Sequence, residues 1–154
     1  MARILVTGGT GYIGSHTVVE LMQQGYDVTI VDNLSNSSVD VLDGIAAIVG
    51  RKPEFANVDC CHYVELDHLF TTYPDIIGVI HFAASKAVGE SVEKPLLYYR
   101  NNICSLVTLI EVMKSHQVQN LVFSSSCTVY GQPDEQHLPV DENAPIQVAL
   151  SLYG

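Results

Sequence analysis

Three sets of residues in this chain of 154 have types and spacings suited to chemistry. The first is Gly8, Gly11 and Gly14, set as Gly-x-x-Gly-x-x-Gly inside Ile4-Leu5-Val6-Thr7-Gly8-Gly9-Thr10-Gly11-Tyr12-Ile13-Gly14. One glycine can permit a tight turn from strand to helix, one can let backbone approach a pyrophosphate, and one can let the helix pack closely on the strand. The start of such a helix offers unpaired N–H groups and a partial positive charge to an anion. The second is Asp32, 18 residues after Gly14, at the end of the apolar run Val28 to Val31. A carboxylate there can accept hydrogen bonds from both hydroxyls of an adenosine ribose and repel the extra phosphate of NADP, which favours NAD. Asp32 also suits a turn or a helix cap, as do Asn33, Asn36 and Ser37, while Asp59 suits either an adenine amino group or a plain turn. The third is Ser124-Ser125-Ser126-Cys127-Thr128-Val129-Tyr130-Gly131 together with Tyr153. Serine and tyrosine together can move a proton on and off a substrate hydroxyl while a neighbouring nicotinamide takes a hydride; the serine run by itself could equally satisfy loop backbone.

The elements that must position these residues are legible from hydrophobic periodicity and turn signals. Residues 3 to 7 read as a strand, and Tyr12 to Gln24 as a helix with Ile13, Thr17, Val18, Leu21 and Met22 on its apolar face and Gly25 as its stop. Tyr26 to Val31 reads as the second strand, followed by a polar turn and a helix carrying Val39, Leu42, Ile45, Ala46 and Val49 up to Gly50. Glu54 to Val58 is the third strand and Tyr63 to Tyr73 the third helix, with Val64, Leu66, Leu69 and Phe70. Ile76 to Phe82 is a continuous apolar run, expected of a strand buried on both faces. Ala83 to Ser91 reads as a long loop of small residues, Pro95 opens a helix running to about His116, and Asn120 to Ser124 is the fifth strand. From Ser125 to Ser151 the chain reads mostly as loop, broken by Pro133, Pro139 and Pro145.

Repeated alternation of strand and helix calls for a parallel sheet with helices on both faces. With right-handed crossovers this is α/β, a doubly wound Rossmann arrangement of strand order 3-2-1-4-5. Ligands of such sheets sit beyond the carboxyl ends of the strands. Residues 8 to 14, 32 to 38, 59 to 60, 83 to 91 and 124 to 130 all fall at such ends.

The length suits one domain. An apolar fraction of 47% with 16% charged residues describes a globular protein without a disorder signature. A net charge of −10 argues against a nucleic-acid surface, since phosphate backbones are bound by clustered Lys and Arg. No apolar run approaches the roughly 20 residues that span a bilayer, and no cleavable leader is visible, so a cytoplasmic location is expected. Cys60, Cys61, Cys104 and Cys127 read as free thiols, His81 as a hydrogen-bonded core residue, and no metal site is visible.

The chain also resembles a known family, the extended short-chain dehydrogenase/reductases, and among them the nucleotide-sugar 4-epimerases. The matching stretches are Val6 to Thr17, Asp32-Asn33-Leu34, His81-Phe82-Ala83, Lys86-Ala87-Val88-Gly89-Glu90-Ser91, Tyr98-Tyr99-Arg100-Asn101-Asn102, and Ser124 to Ser126 with Thr128-Val129-Tyr130-Gly131. The resemblance implies NAD contacts from Tyr12, Ile13, Asp32, Asn33, Asn36, Ser37, Asp59, Cys60, Phe82, Ala83, Lys86 and Asn101. It puts Ser124 near the nicotinamide, Ser126 on the sugar 4-hydroxyl and Tyr153 in the role of catalytic base, with Ser124, Ser126, Tyr153 and Lys86 toward substrate.

The implied reaction is 4-epimerisation of a UDP-hexose, UDP-glucose or UDP-galactose, by hydride abstraction from C4, rotation of the 4-keto intermediate and return of the hydride to its other face. The resemblance also implies a homodimer through helices of this domain, including Pro95 to His116. The family pairs its tyrosine with a lysine four residues on, which would fall at position 157, whereas this chain ends at Gly154. Residues 1–154 are therefore expected to be an incomplete NAD-binding domain, without the last strands and the C-terminal UDP-sugar domain. Two alternatives are a non-catalytic NAD-binding module and part of a nucleotide-sugar 4,6-dehydratase. The latter needs an acid after the fifth strand, where Cys127-Thr128 offers none.

Overall fold

A computed structural model describes residues 2–149 of the chain. Its elements in order are β1 (Arg3–Thr7), α1 (Tyr12–Gln23), β2 (Asp27–Asp32), α2 (Val41–Val49), β3 (Glu54–Asn57), α3 (Tyr63–Thr72), β4 (Ile76–His81), α4 (Val88–Glu93), α5 (Pro95–Tyr98), a π turn (Tyr99–Cys104), α6 (Ser105–Ser115) and β5 (Asn120–Phe123). Two 3₁₀ turns, Cys127–Tyr130 and Glu135–His137, follow. The five strands form one parallel sheet in the order β3-β2-β1-β4-β5. This is the expected doubly wound α/β arrangement.

Successive strand side chains point to opposite faces, and the core divides accordingly. Leu5 and Val31 join Leu66, Phe70, Val79, Leu109 and Val112 in a cluster that takes in α3 and α6. Their neighbours Val6 and Ile30 join Val18, Val28, Leu42 and Ile45 under α1 and α2. Glycine in the left-handed region ends α2 at Gly50, with φ 81°, as the αL stop predicts. No described helix is long and apolar enough to cross a membrane.

Several expectations are corrected. Strand β4 is not buried on both faces throughout: the second cluster holds no residue of β4 or β5, and Ile77 and Val122 are 46% and 60% exposed. Ile13 does not belong to the buried face of α1, because it lines a groove at the start of the helix; it is 58% exposed. Val39 precedes α2, and Val64 lies on the outer side of α3; both are exposed. The loop expected over Ala83 to Ser91 gives way to helix at Val88, since its small residues impose no break. The long helix from Pro95 is interrupted by the π turn at Tyr99–Cys104. Such single π turns occur inside otherwise α-helical segments.

Candidate functional site

The glycine turn between β1 and α1 is shaped by contacts that exclude a side chain. Gly8 has φ 68°, and a Cβ there would lie 2.8 Å from the Ala83 nitrogen and 2.9 Å from the Phe82 carbonyl carbon. A Cβ on Gly14 would lie 2.2 Å from the Gly8 oxygen. Gly8 therefore makes the turn against the end of β4, and Gly14 lets α1 close onto that turn. Gly11 is the N-cap of α1, and no side chain caps this end. The N–H groups of the first helical turn lack intrahelical partners, and Gly11, Tyr12, Ile13 and Gly14 all line the adjoining groove.

At the end of β2, Asp32 braces two loops at once. Its Oδ2 accepts from Thr10 N–H at 3.2 Å, and its Oδ1 accepts from Leu34 N–H at 2.9 Å and from the Ser37 hydroxyl at 3.3 Å. Thr10 and Ser37 are themselves linked through their hydroxyls at 2.7 Å. Both readings of Asp32 thus have a basis in the geometry, because it orders the turn and still lines the groove. Asp59, after β3, accepts from Cys61 N–H at 2.8 Å and from the Asn33 amide at 3.2 Å. Burial pushes its carboxyl up, but the hydrogen bonds from Cys61 and Asn33 outweigh that, and the net shift is below the usual carboxylate range. The buried Cys60 thiol is pushed up to about 12, first by burial and then by the Asp59 carboxylate, so it is neutral and unreactive.

The opposite wall follows β4. Phe82 N–H donates to the Thr7 carbonyl at 3.0 Å, and Ala83 N–H donates to the Thr7 hydroxyl at 3.3 Å. The same hydroxyl meets Nδ1 of buried His81 at 2.7 Å, the hydrogen-bonded core role expected of that histidine. Farther along, Asn102 accepts from Ser85 N–H at 2.8 Å and donates to the Ser85 carbonyl at 2.9 Å. Asn101 donates to the Ser85 hydroxyl at 3.0 Å. The Tyr98 hydroxyl accepts from Ala87 N–H at 3.0 Å and donates toward the Ala87 carbonyl at 2.8 Å and Glu90 at 3.1 Å.

Beyond β5, Ser124 N–H donates to the His81 carbonyl at 3.1 Å. Ser126 caps the 3₁₀ turn: its oxygen accepts from Thr128 N–H at 3.3 Å and from the Thr128 hydroxyl at 2.9 Å. With those lone pairs engaged, the Ser126 proton is left to donate outward.

These walls enclose a groove of about 530 Å³. It is lined by Gly8, Gly11, Tyr12, Ile13, Gly14, Asp32, Asn33, Asn36, Ser37, Asp59, Cys60, Phe82, Ala83, Lys86, Asn101, Ser124 and Ser126. A smaller pocket of about 210 Å³ shares Phe82, Ala83, Ser124 and Ser126 and adds His81, Asn102, Phe123 and Val129. All the sequence candidates within residues 2–149 are therefore brought together, and Tyr153 lies outside the described residues. Sequence reasoning missed the supporting residues Thr7, Thr10, Ser85, Tyr98 and Asn102. Hydroxyls inside the glycine turn and the stretch Tyr98-Tyr99-Arg100-Asn101-Asn102, matched in the family resemblance without a role for Tyr98 or Asn102, were the visible signals.

Strand order, a glycine turn feeding an uncapped helix start and an aspartate ending β2 define a doubly wound domain of the Rossmann class. The sequence model of the NAD dependent epimerase/dehydratase family matches residues 4–154, and the chain belongs to that family. It is 51% identical over 152 residues to the UDP-glucose 4-epimerase of Dictyostelium discoideum, covering 99% of this chain and 43% of that protein. It is 48% identical over 158 residues to the UDP-glucose 4-epimerase of Homo sapiens, covering 99% and 44%. The crystal structure of UDP-glucose 4-epimerase from Bifidobacterium longum in complex with NAD+ and UDP superposes with a TM-score of 0.93 at 44% identity, covering 99% of this chain and 44% of that one. The chain thus spans less than half the length of these relatives.

Proposed function

We propose that the chain is the NAD-binding part of a UDP-hexose 4-epimerase. The observation that carries this reading is the single groove in which the glycine turn, two carboxylates, Lys86 and the serine run meet. Its donor set fits a dinucleotide: backbone N–H groups and one ammonium for the pyrophosphate, carboxylates for ribose and adenine, and hydroxyls at the far end. A carboxylate has about four acceptor positions, and Asp32 uses three of them internally. One ribose hydroxyl would take the remaining position, and the second would displace Ser37, whose bond is the longest of the three at 3.3 Å.

When bound, NAD supplies the acceptor for a hydride from sugar C4 and the source from which it returns. In this reading Ser126 donates its free proton to the sugar 4-oxygen and holds it in register, and Tyr153 takes and returns the hydroxyl proton. Ser124, whose N–H is tied to the end of β4, would lie near the nicotinamide. The similarity to UDP-glucose 4-epimerases along the chain supports the assignment of substrate class, and residues outside this chain would complete the UDP-sugar site. In an assay of UDP-galactose conversion, the chain alone is expected to turn over negligibly, and a protein extending it to its relatives' length to be active. Comparable turnover by the 154-residue chain would overturn the proposal.

An exposed apolar stripe supports the homodimer that the resemblance implies. Leu96, Tyr99, Ile103, Val107 and Ile110 recur at intervals of three and four residues along α5, the π turn and α6, and all are exposed. A stripe of this kind suits a matching helix face on a second copy. Val107→Glu is expected to shift the chain from dimer to monomer in sedimentation. An unchanged dimer would remove this face from consideration.

A further inference from the structure

Among the described residues Lys86 is the only Lys, Arg or His lining the groove, in a chain whose net charge is −10. Among the described residues its ammonium has neither a carboxylate nor a hydrogen-bond partner, so no side-chain contact fixes its place. The backbone around it is fixed instead. Immediately before it, Asn102 grips both the N–H and the C=O of Ser85, at 2.8 and 2.9 Å, as one strand grips another, and Asn101 holds the Ser85 hydroxyl. Immediately after it, the hydroxyl of Tyr98, only 3% exposed, bridges the N–H and C=O of Ala87 and reaches Glu90 at 3.1 Å. Asn101 and Asn102, which both reach Ser85, lie within the π turn at Tyr99–Cys104.

We infer that Tyr98 and Asn102 are positioning residues that set where the Lys86 ammonium stands in the groove by holding the backbone on either side of it, for an anionic phosphate ligand. This rests on reading the groove as a dinucleotide site. Lysine loses much side-chain entropy when ordered. Fixing its two neighbours beforehand lowers that cost and so raises affinity by pre-organisation.

The test is a double-mutant cycle on NAD binding, measured by calorimetry on the chain, with hydrogen exchange at the Ser85 and Ala87 amides as a ligand-free readout. Lys86→Met is expected to weaken NAD about tenfold, as for loss of a charge-assisted hydrogen bond. Tyr98→Phe keeps the ring and removes the hydroxyl. It is expected to speed exchange at Ala87 and to weaken NAD about threefold or more in the Lys86 background, with almost no effect in the Lys86→Met background. Asn102→Ala should behave in the same way through Ser85, and supplies the answer if Tyr98→Phe does not fold. Equal losses in both backgrounds, or faster exchange with unchanged affinity, would make these residues loop staples only and overturn the inference. Failure of the unsubstituted chain to bind NAD would overturn the groove reading as well, which distinguishes the two failures.

Discussion

Acidification should weaken the fold through one buried ring before the carboxylates begin to titrate. His81 is 2% exposed at the end of β4. Burial lowers its pKa from the ordinary 6.5 to about 4, because a charged imidazolium there would lose its water. The unfolded chain therefore takes up a proton that the folded chain refuses, and stability falls as pH drops from 6.5 toward 4. Each pH unit within that interval removes about 1.4 kcal/mol, so roughly 2 kcal/mol should be lost between pH 7 and pH 5 through this group. Asp59, Asp75, Glu90 and Asp134 all have lowered pKa values. Their contributions are present above the ordinary carboxylate pKa and are lost only at lower pH, below this window.

The assay is urea unfolding followed by circular dichroism at pH 7 and pH 5, with linear extrapolation, on the unsubstituted chain and on His81→Asn. Asparagine can keep the hydrogen bond to Thr7 and does not titrate. The variant should lose stability at pH 7 yet show a pH dependence smaller by about 2 kcal/mol over this window. Parallel pH dependences for the two proteins would refute the reasoning.

Two further predictions concern groups whose surroundings are equally definite. Gly14→Ala places a methyl 2.2 Å from the Gly8 oxygen and should destabilise by about 2 kcal/mol or more, whereas Gly44→Ala in α2 meets nothing within 4 Å and should stabilise by about 0.5–1 kcal/mol; similar unfolding midpoints for the two would contradict the packing described. Exposed Cys104 and Cys127 should be alkylated rapidly in the native chain, while buried Cys60, its thiol pushed up to about 12, should be alkylated only on unfolding; mass spectrometry after a timed pulse of iodoacetamide reads this directly, and early labelling of Cys60 would contradict its burial.

Much of the fold is legible in the sequence because a parallel sheet covered by helices concentrates Val, Ile and Leu into short runs bounded by turn residues. Residues such as Val28 to Val31 and Ile76 to Phe82 announce strands in this way, and their alternation with helices sets the strand order. The groove is legible for the same reason, since every candidate loop follows a strand and doubly wound sheets gather those ends on one edge. Three things were less legible. Apolar residues at Ile13 and Ile77 satisfy the periodicity, yet nothing in it tells whether a partner element covers them. The π turn and α4 depend on hydrogen bonds over sequence separations of 8 to 17 residues, such as Tyr98 to Glu90 and Asn102 to Ser85, beyond the reach of local propensity. Ser126 and Asp32 pattern as ligand groups, but their second employment, bracing Thr128 and the glycine turn, becomes visible only when the chain is folded.

The central claim is that the groove between the glycine turn and the serine run holds NAD, with Asp32 choosing it over NADP. Calorimetric titration of the chain with NAD and with NADP, repeated on Asp32→Asn, tests this most directly. NAD should bind at least about tenfold more tightly than NADP, and removing the charge at Asp32 should weaken NAD and narrow the gap. Absence of NAD binding, or an NAD to NADP ratio unaltered by Asp32→Asn, would contradict it.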